Sequence, residues 1–384
     1  MTKKILVTDC WTRKTLSAVR SLGQAGLEVH AVTHTRASPA IYSRFVSKYF
    51  LLPRPADDPG GYLKELAALL QKEKYDLVLP MEDDTSKVLL EHSAKVEAYT
   101  NTVLPSSESY CVASDKWRTL ELAKRLHVPV PRSVLAREVG DALQFADEAG
   151  YPVVMKPRAG SGSRGLSISK NTGELQKNFI RALRRYPEMI VQEKIVGQGL
   201  GVGILADRGE VRASLSYTRL REYPVTGGPS TLRETTDDAT TKEYAQKLMH
   251  TLGWHGVAMV EFKYDKDGKP VLMEINPRFW GSLHLAYVSG INFPFLVYKL
   301  SQGEPIEPQN YRTGVRCRWL IPGDIMHFLA NPRRFKMRPS FFKFTGTYYD
   351  EFMRGDMRGN IASVICPLFS IFDPNVWRLG IFRR

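Results

Sequence analysis

The stretch VAMVEFKYDKDGKPVLMEINPRFWGS, residues 257–282, constrains this chain more than any other. Two runs of strand-forming residues flank the turn DKDG, which predicts a β-hairpin. Side chains alternate across a strand, so Glu274 and Asn276 share one face. The turn brings Glu261 of the partner strand to the same end. Arg278 joins that face if the alternation continues past Asn276. An ordinary core hairpin has no need of two carboxylates, an amide and an arginine together. Hard oxygen ligands of this kind suit magnesium, with phosphate oxygens completing its shell. Arg278 would then hold a transferred phosphoryl group or an acyl phosphate.

An acidic strand end of this kind needs cations and a phosphate cradle to meet it, and the preceding chain offers candidates. YPVVMKPRAGSGSRGLSI, residues 151–168, predicts a strand ending near Lys156. A loop follows in which Gly160, Ser161, Gly162, Ser163 and Gly165 allow close backbone approach to an anion. It is not a Walker A loop, because GxxxxGK[ST] is absent. The helix DKWRTLELAKRLHV, residues 115–128, carries Lys116 at its start, within reach of an incoming anion. MIVQEKIV predicts a hinge at Gln192, Glu193, Lys194 and Ile195 whose backbone recognises adenine, with Glu193 available to orient a ribose. Arg219 and Arg221, beside the Gly227–Gly228 turn, are candidates to close over negative substrate groups. After the apolar run YDLVLP, Glu82, Asp83 or Asp84 is a candidate to meet an acceptor ammonium, and helix capping by Asp83, Asp84 or Thr85 is the equal alternative. Each feature alone has a plainer reading: a solvated lysine, an ordinary turn or a basic hairpin.

The rest of the chain bounds the architecture. With 384 residues it forms two or three modules. KILVTDC, TLSAVRSLGQAG, LEVHAVTH, YLKELAALLQKE and YDLVLP alternate strand with helix, predicting a Rossmann-like α/β domain over 1–110. The dinucleotide fingerprint GxGxxG is absent from it. Cys10, Cys111, Cys317 and Cys366 are too far apart for a zinc motif, and a reducing cytoplasm suits them. His255 and His284 form no convincing ligand pair and are assigned structural roles. No secretory leader opens the sequence, and no run of eighteen apolar residues predicts a spanning helix. The formal charge of +14 admits nucleotides, other phosphorylated ligands, nucleic acid or an anionic membrane as partners. Residues 301–384 hold 13 Lys and Arg against 7 Asp and Glu, a net +6. NPRRFKMRPSFFKF and IASVICPLFSIF within it predict a compact accessory subdomain. The alternatives are peripheral membrane contact or docking of a large anionic substrate through 331–372. Nothing in it resembles a nucleic-acid reader, so no nucleic acid is expected.

Taken together, VASDKW, KPRAGSGSRG and VEF…DGKPVLMEINPRFWGS resemble the ATP-grasp carboxylate–amine ligase superfamily. The likeness spans roughly 1–300 and is most diagnostic over 112–283. It implies an α/β chain with a Rossmann-like N-terminal domain (1–110). An ATP-grasp fold of two α+β subdomains follows, a small lid (111–190) and a catalytic part (191–300), and a basic-aromatic C-terminal extension (301–384) completes the chain. It also implies ATP with Mg2+ or Mn2+, and activation of a carboxylate substrate as an acyl phosphate. An amine then attacks, and ADP and phosphate leave. On this resemblance Lys116 and Lys156 contact ATP phosphates and the 159–165 loop closes over them. Glu261, Glu274 and Asn276 organise the metal, and Arg278 stabilises developing charge. Many relatives carry a ribose-binding Glu in a G-x-E pattern, where this chain has Gly197-Gln198-Gly199; Glu193 is the expected substitute. A thiol acceptor, carbamoyl-type chemistry, or a regulatory protein that binds Mg·ATP without acyl transfer are the other readings.

Overall fold

The computed structural model describes residues 3–160 and 165–370. Four short strands open the chain: β1 (Lys4–Val7), β2 (Glu28–Thr33), β3 (Val46–Leu51) and β4 (Leu77–Leu79). They form a parallel sheet in the order β3-β2-β1-β4. Ile5, Leu6 and Val7 are fully buried, as expected of strands covered by crossover helices. Helix Arg13–Gln24 starts at Thr12, whose side chain accepts from the Thr15 N–H. Parallel pairing gathers the carboxyl ends of β1 and β4 at one rim. Asp9 there accepts from the backbone N–H groups of Met81 and Glu82 and from the Thr85 hydroxyl. The rim is thereby held as one unit, and residues 11–14 and 82–83 face the rest of the molecule from it.

The next four strands make an antiparallel sheet, β5-β8-β6-β7, from β5 (Ser133–Ala136), β6 (Val153–Lys156), β7 (Ser167–Ser169) and β8 (Met189–Glu193). Helices Val139–Ala149 and Thr172–Leu183 cover one face and bury Ala142, Leu175 and Phe179 against Val153 and Met155. The other face carries Val154, Lys156, Ile168 and Gln192, which line a cavity.

The largest sheet runs β13-β12-β9-β10-β11-β14-β15. Its strands are β9 (Gly199–Asp207), β10 (Glu210–Glu222), β11 (Ser230–Thr236), β12 (Gly256–Tyr264), β13 (Pro270–Asn276), β14 (Arg316–Arg318) and β15 (Thr347–Tyr349). All neighbours are antiparallel except β14 and β15. The expected hairpin is β12–β13, with Glu261 opposite Glu274 and Met259 opposite Asn276. The α/β architecture read from the sequence is therefore present.

Residues 316–318 and 347–349 complete this central sheet, and Cys317 lies in one core with Ile5, Leu215 and Trp280. Buried ion pairs fasten the same region. Asp324 accepts from Arg221 and Arg318, each at 2.6 Å, Arg233 pairs with Asp350, and Arg20 Nε lies 2.8 Å from Asp356. Among the described residues no helix is long and apolar enough to cross a membrane, and no disulfide is present.

Candidate active site

A cavity of about 630 Å3 opens where the three sheets meet. Lys14 and Glu82 reach it from the N-terminal rim, and Lys156 and Gln192 from the open face of the lid sheet. Arg219, Glu261, Glu274 and Asn276 reach it from the central sheet. Lys116 comes from the helix that joins the first two modules, at the N-cap Asp115.

The acidic end has the composition read from the hairpin. Asn276 donates from Nδ2 to Glu261 and Glu274, at 3.3 Å each, so the three side chains converge. Burial raises the Glu261 carboxyl and the Glu274 charge adds to it, although Arg219 at 2.9 Å opposes both. Burial would raise Glu274 as well, but Lys116 and Lys156 hold it below the ordinary glutamate value. Two like charges in one low-dielectric corner are thus kept ionised unequally. Lys116 Nζ stands 3.3 Å from Glu274 and donates to the Gly160 carbonyl at 2.5 Å, linking the acidic end to the lid loop. Lys156 donates to the Met273 carbonyl at 3.2 Å, and burial lowers its ammonium to about 8. Gly160 has φ +117° and Gly165 φ +77°, backbone that a side chain adopts only with strain. Ser161, Gly162 and Ser163 lie outside the described residues.

These donors fit a hard divalent cation. Among the described residues no group of three or more His, Cys, Asp or Glu is suited to a metal. The protein therefore supplies two carboxylates and one amide, and phosphate oxygens are needed for the remaining positions. A half-turn of the Asn276 amide would present Oδ1 in place of Nδ2, because the two ends differ only in hydrogen-bond role. A cation there would also relieve the repulsion that raises Glu261.

Other expected residues are placed differently. Arg278 lines the cavity, but its Nε is 2.8 Å from Asp83 and 3.7 Å from Glu82, and Nη2 donates to Asn276 Oδ1 at 3.3 Å. Glu82 also pairs with Lys14 at 3.0 Å. Glu82 and Asp83, two of the residues expected to meet an acceptor ammonium, are therefore neutralised by the protein itself. Arg219 faces the cavity, whereas Arg221 is turned into the interior onto Asp324. Two residues apart, they should share a face; a β-bulge between them re-aims the second. Gln192, Lys194 and Ile195 line the cavity, and the Gln192 Oε1 is buried without a partner. Glu193 points to the opposite face of β8 and pairs with Arg132 at 3.2 Å, so it is not in the cavity to orient a ribose. His284 bonds Ser17 at 3.3 Å and burial lowers it to about 4; His255 lies 3.2 Å from Asp207.

Sequence reasoning missed the far half of the cavity. Trp11 enters it from the loop after β1 and Arg13 from the first turn of the helix Arg13–Gln24, and Trp319, Asp350 and Glu351 enter from the C-terminal region. The Arg13 guanidinium stacks on Trp319 with 3.9 Å between its carbon and the ring centroid, and lies 3.4 Å from Asp350. Glu351 is 2% exposed; its Oε1 accepts from the Ile321 N–H at 2.8 Å and its Oε2 has no partner. Residues 11–14 had one available signal, their place at the carboxyl end of a parallel strand, where ligands of α/β sheets bind. For Asp350 and Glu351 no comparable signal exists.

Known proteins resemble parts of this chain in sequence and fold. A family model described as ATP-grasp in the biosynthetic pathway with Ter operon matches residues 185–321, and one described as D-ala D-ala ligase C-terminus matches 119–223. The carbamoyl phosphate synthase large chain of Methanothrix thermoacetophila is 24% identical over 314 residues, covering 77% of this chain and 28% of that protein. The chain thus spans little more than a quarter of that relative. The biotin carboxylase of Campylobacter jejuni, solved as a β,γ-ATP complex, superposes with a TM-score of 0.68 at 20% identity, covering 82% of this chain and 74% of the other. N5-carboxyaminoimidazole synthetase from Staphylococcus aureus gives 0.64 at 16% identity, with 81% of each chain covered. The two family models, which together match residues 119–321, and the shared fold both make the chain similar to ATP-grasp enzymes, and the converging lysines and carboxylates lie within that likeness.

Proposed function

We propose that this protein is an ATP-dependent ligase that activates a substrate carboxylate as an acyl phosphate for attack by an amine, releasing ADP and phosphate. The convergence of Lys116 and Lys156 on the pair Glu261 and Glu274 across one cavity is the observation that carries it. Adenine lies against Gln192, Lys194 and Ile195, and the phosphates run toward the two lysines under the 159–165 loop. Glu261, Glu274 and Asn276 would hold magnesium, which would supply neutralisation of phosphate charge. Lys156, already desolvated, gains its full charge when a phosphate approaches. Arg278 is held by Asp83 and Glu82 in one orientation, and so meets the transferring group without reorganising. The second substrate occupies the far half of the cavity, between Trp11, Arg13 and Trp319, with Glu351 replacing Glu82 and Asp83 as the carboxylate beside it. Closure of that half limits hydrolysis of the activated acid. A cytoplasmic place of action belongs to this reading, in keeping with four cysteines outside any disulfide.

A second reading has bicarbonate as the activated acid and nitrogen as the acceptor. It is favoured by the kind of relatives found, including a biotin carboxylase domain from Hydrogenobacter thermophilus solved with MgADP and bicarbonate. Incubation with ATP, magnesium and paired acids and amines, with and without isotopic bicarbonate, followed by mass spectrometry, separates the two. The ligase reading predicts ADP formation dependent on both substrates, and at least a hundredfold loss in Glu274→Ala with folding retained, about 3 kcal/mol of transition-state stabilisation. Label from bicarbonate in the product transfers the assignment to carboxylation. Tight Mg·ATP binding with no turnover in any pairing leaves a nucleotide-binding regulator or scaffold.

A further inference from the structure

Between Ile325 and Tyr349 the chain contains no acidic residue and five cations, Arg333, Arg334, Lys336, Arg338 and Lys343, all exposed. Among the described residues none of the five forms an ion pair. Beside them, apolar side chains stand in solvent: Phe335 is 75% exposed, Leu329 and Phe342 are each 60%, and Phe344 is 48%. Burying those groups in the protein would be favourable, yet the fold leaves them out and surrounds them with positive charge.

The surface is held firmly. Phe328 packs against Phe341 with centroids 4.4 Å apart, and against Phe335 and Phe342 at 5.6 and 5.7 Å. Arg318, fixed in the interior by Asp324, stacks over Phe341 at 4.3 Å. The rings therefore form a platform tied to the central sheet through β14.

We infer that the surface of residues 325–344 docks the enzyme on an anionic bilayer. Phe335, Phe342 and Leu329 enter the interfacial zone while the five cations meet lipid phosphates. This occupant explains both halves of the surface. A free polyanion would use the cations and leave the apolar side chains in water. Single-stranded nucleic acid would want ring faces for stacking, but these rings pack against one another, and Leu329 and Ile325 offer no aromatic face. Near an anionic membrane each basic residue strengthens binding about fivefold, and the attraction fades with salt over roughly a Debye length.

The test uses the full chain and co-sedimentation with vesicles of phosphatidylcholine alone or mixed with phosphatidylglycerol. Sedimentation is expected only with the mixed vesicles, and it weakens as salt rises. The double variant Lys336→Gln/Lys343→Gln should lose about twenty-five-fold in partition. Phe335→Ser/Phe342→Ser should lose at least tenfold while keeping the salt dependence. Both pairs are exposed, so unchanged circular dichroism and melting temperature show that the fold is intact. Absence of binding to mixed vesicles overturns the proposal, as does equal binding to both vesicle types. Loss in the lysine variant without loss in the phenylalanine variant would reassign the surface to a soluble polyanion. Displacement from vesicles by a single-stranded oligonucleotide at lower phosphate concentration than the lipid would reassign it to nucleic acid. The readout is independent of turnover, so its failure and that of the ligase reading are distinguishable.

Discussion

Residues of one type behave differently across the cleft because their surroundings differ. Glu261 and Glu274 face each other, yet one carboxyl is raised and the other lowered, because burial acts on both and the lysines sit nearer Glu274. Glu351 is a sharper case. Burial and then the Asp350 charge raise it from 4.5 to about 7, while an unfolded chain keeps it at its ordinary value. Its raised folded pKa favours the native state at low pH, and that contribution is lost as pH rises through about 7. Glu351→Gln keeps an oxygen for the Ile321 N–H and removes the charge. Wild type should therefore lose stability relative to this variant between pH 5 and pH 8, by on the order of 1 to 3 kcal/mol. Urea midpoints at the two pH values measure it; a constant difference would show that the carboxyl does not titrate there.

At the scale of elements, strand β9 shows why glycine recurs in GLGVG. A Cβ at Gly203 would stand 2.1 Å from the Trp280 ring, and one at Gly201 would stand 2.4 Å from the Tyr217 ring. Both aromatics are buried, with Trp280 at 0% exposure, so neither ring can swing out to yield. Gly203→Ala is predicted to destabilise the protein by about 1 to 3 kcal/mol through overpacking, read from the denaturant midpoint. An unchanged midpoint would mean that Trp280 has a second place to go. Elements also decided which predicted side chains reach the cavity. Period-two alternation correctly put Glu274 and Asn276 together, and it holds Gln192 on the cavity side of β8 with Glu193 on the other. It failed for Arg221, where the bulge in β10 intervenes, and Glu222 stands in the cavity beside Arg219 instead.

At the scale of the whole molecule, the C-terminal region is built into the fold. Arg20, fully buried, bonds Asp356, Asn360 and the carbonyls of Asp350 and Glu351, so a helix of the N-terminal domain holds the segment that lines the far half of the cleft. Arg20→Met leaves Asp356 buried without its cation and is predicted to cost about 3 to 5 kcal/mol. The restoring double variant Arg20→Met/Asp356→Asn should recover part of that loss. Thermal melts of the three proteins decide it, and a mild effect in the single variant would place the segment's support elsewhere. What the sequence determined by itself was local: the hairpin, the helix start at Lys116, the strand ending at Lys156 and the alternating α/β start. Each is set by the periodicity, turn chemistry and capping of residues close together in the chain. Tertiary structure alone decided which charges remain available to a ligand. Arg278 takes Asp83 and Glu82, Arg132 takes Glu193, Asp324 takes Arg221, Arg233 takes Asp350, and Glu351 arrives from far along the chain. Ion pairing and burial depend on distances between remote segments, and no spacing within a single segment encodes them.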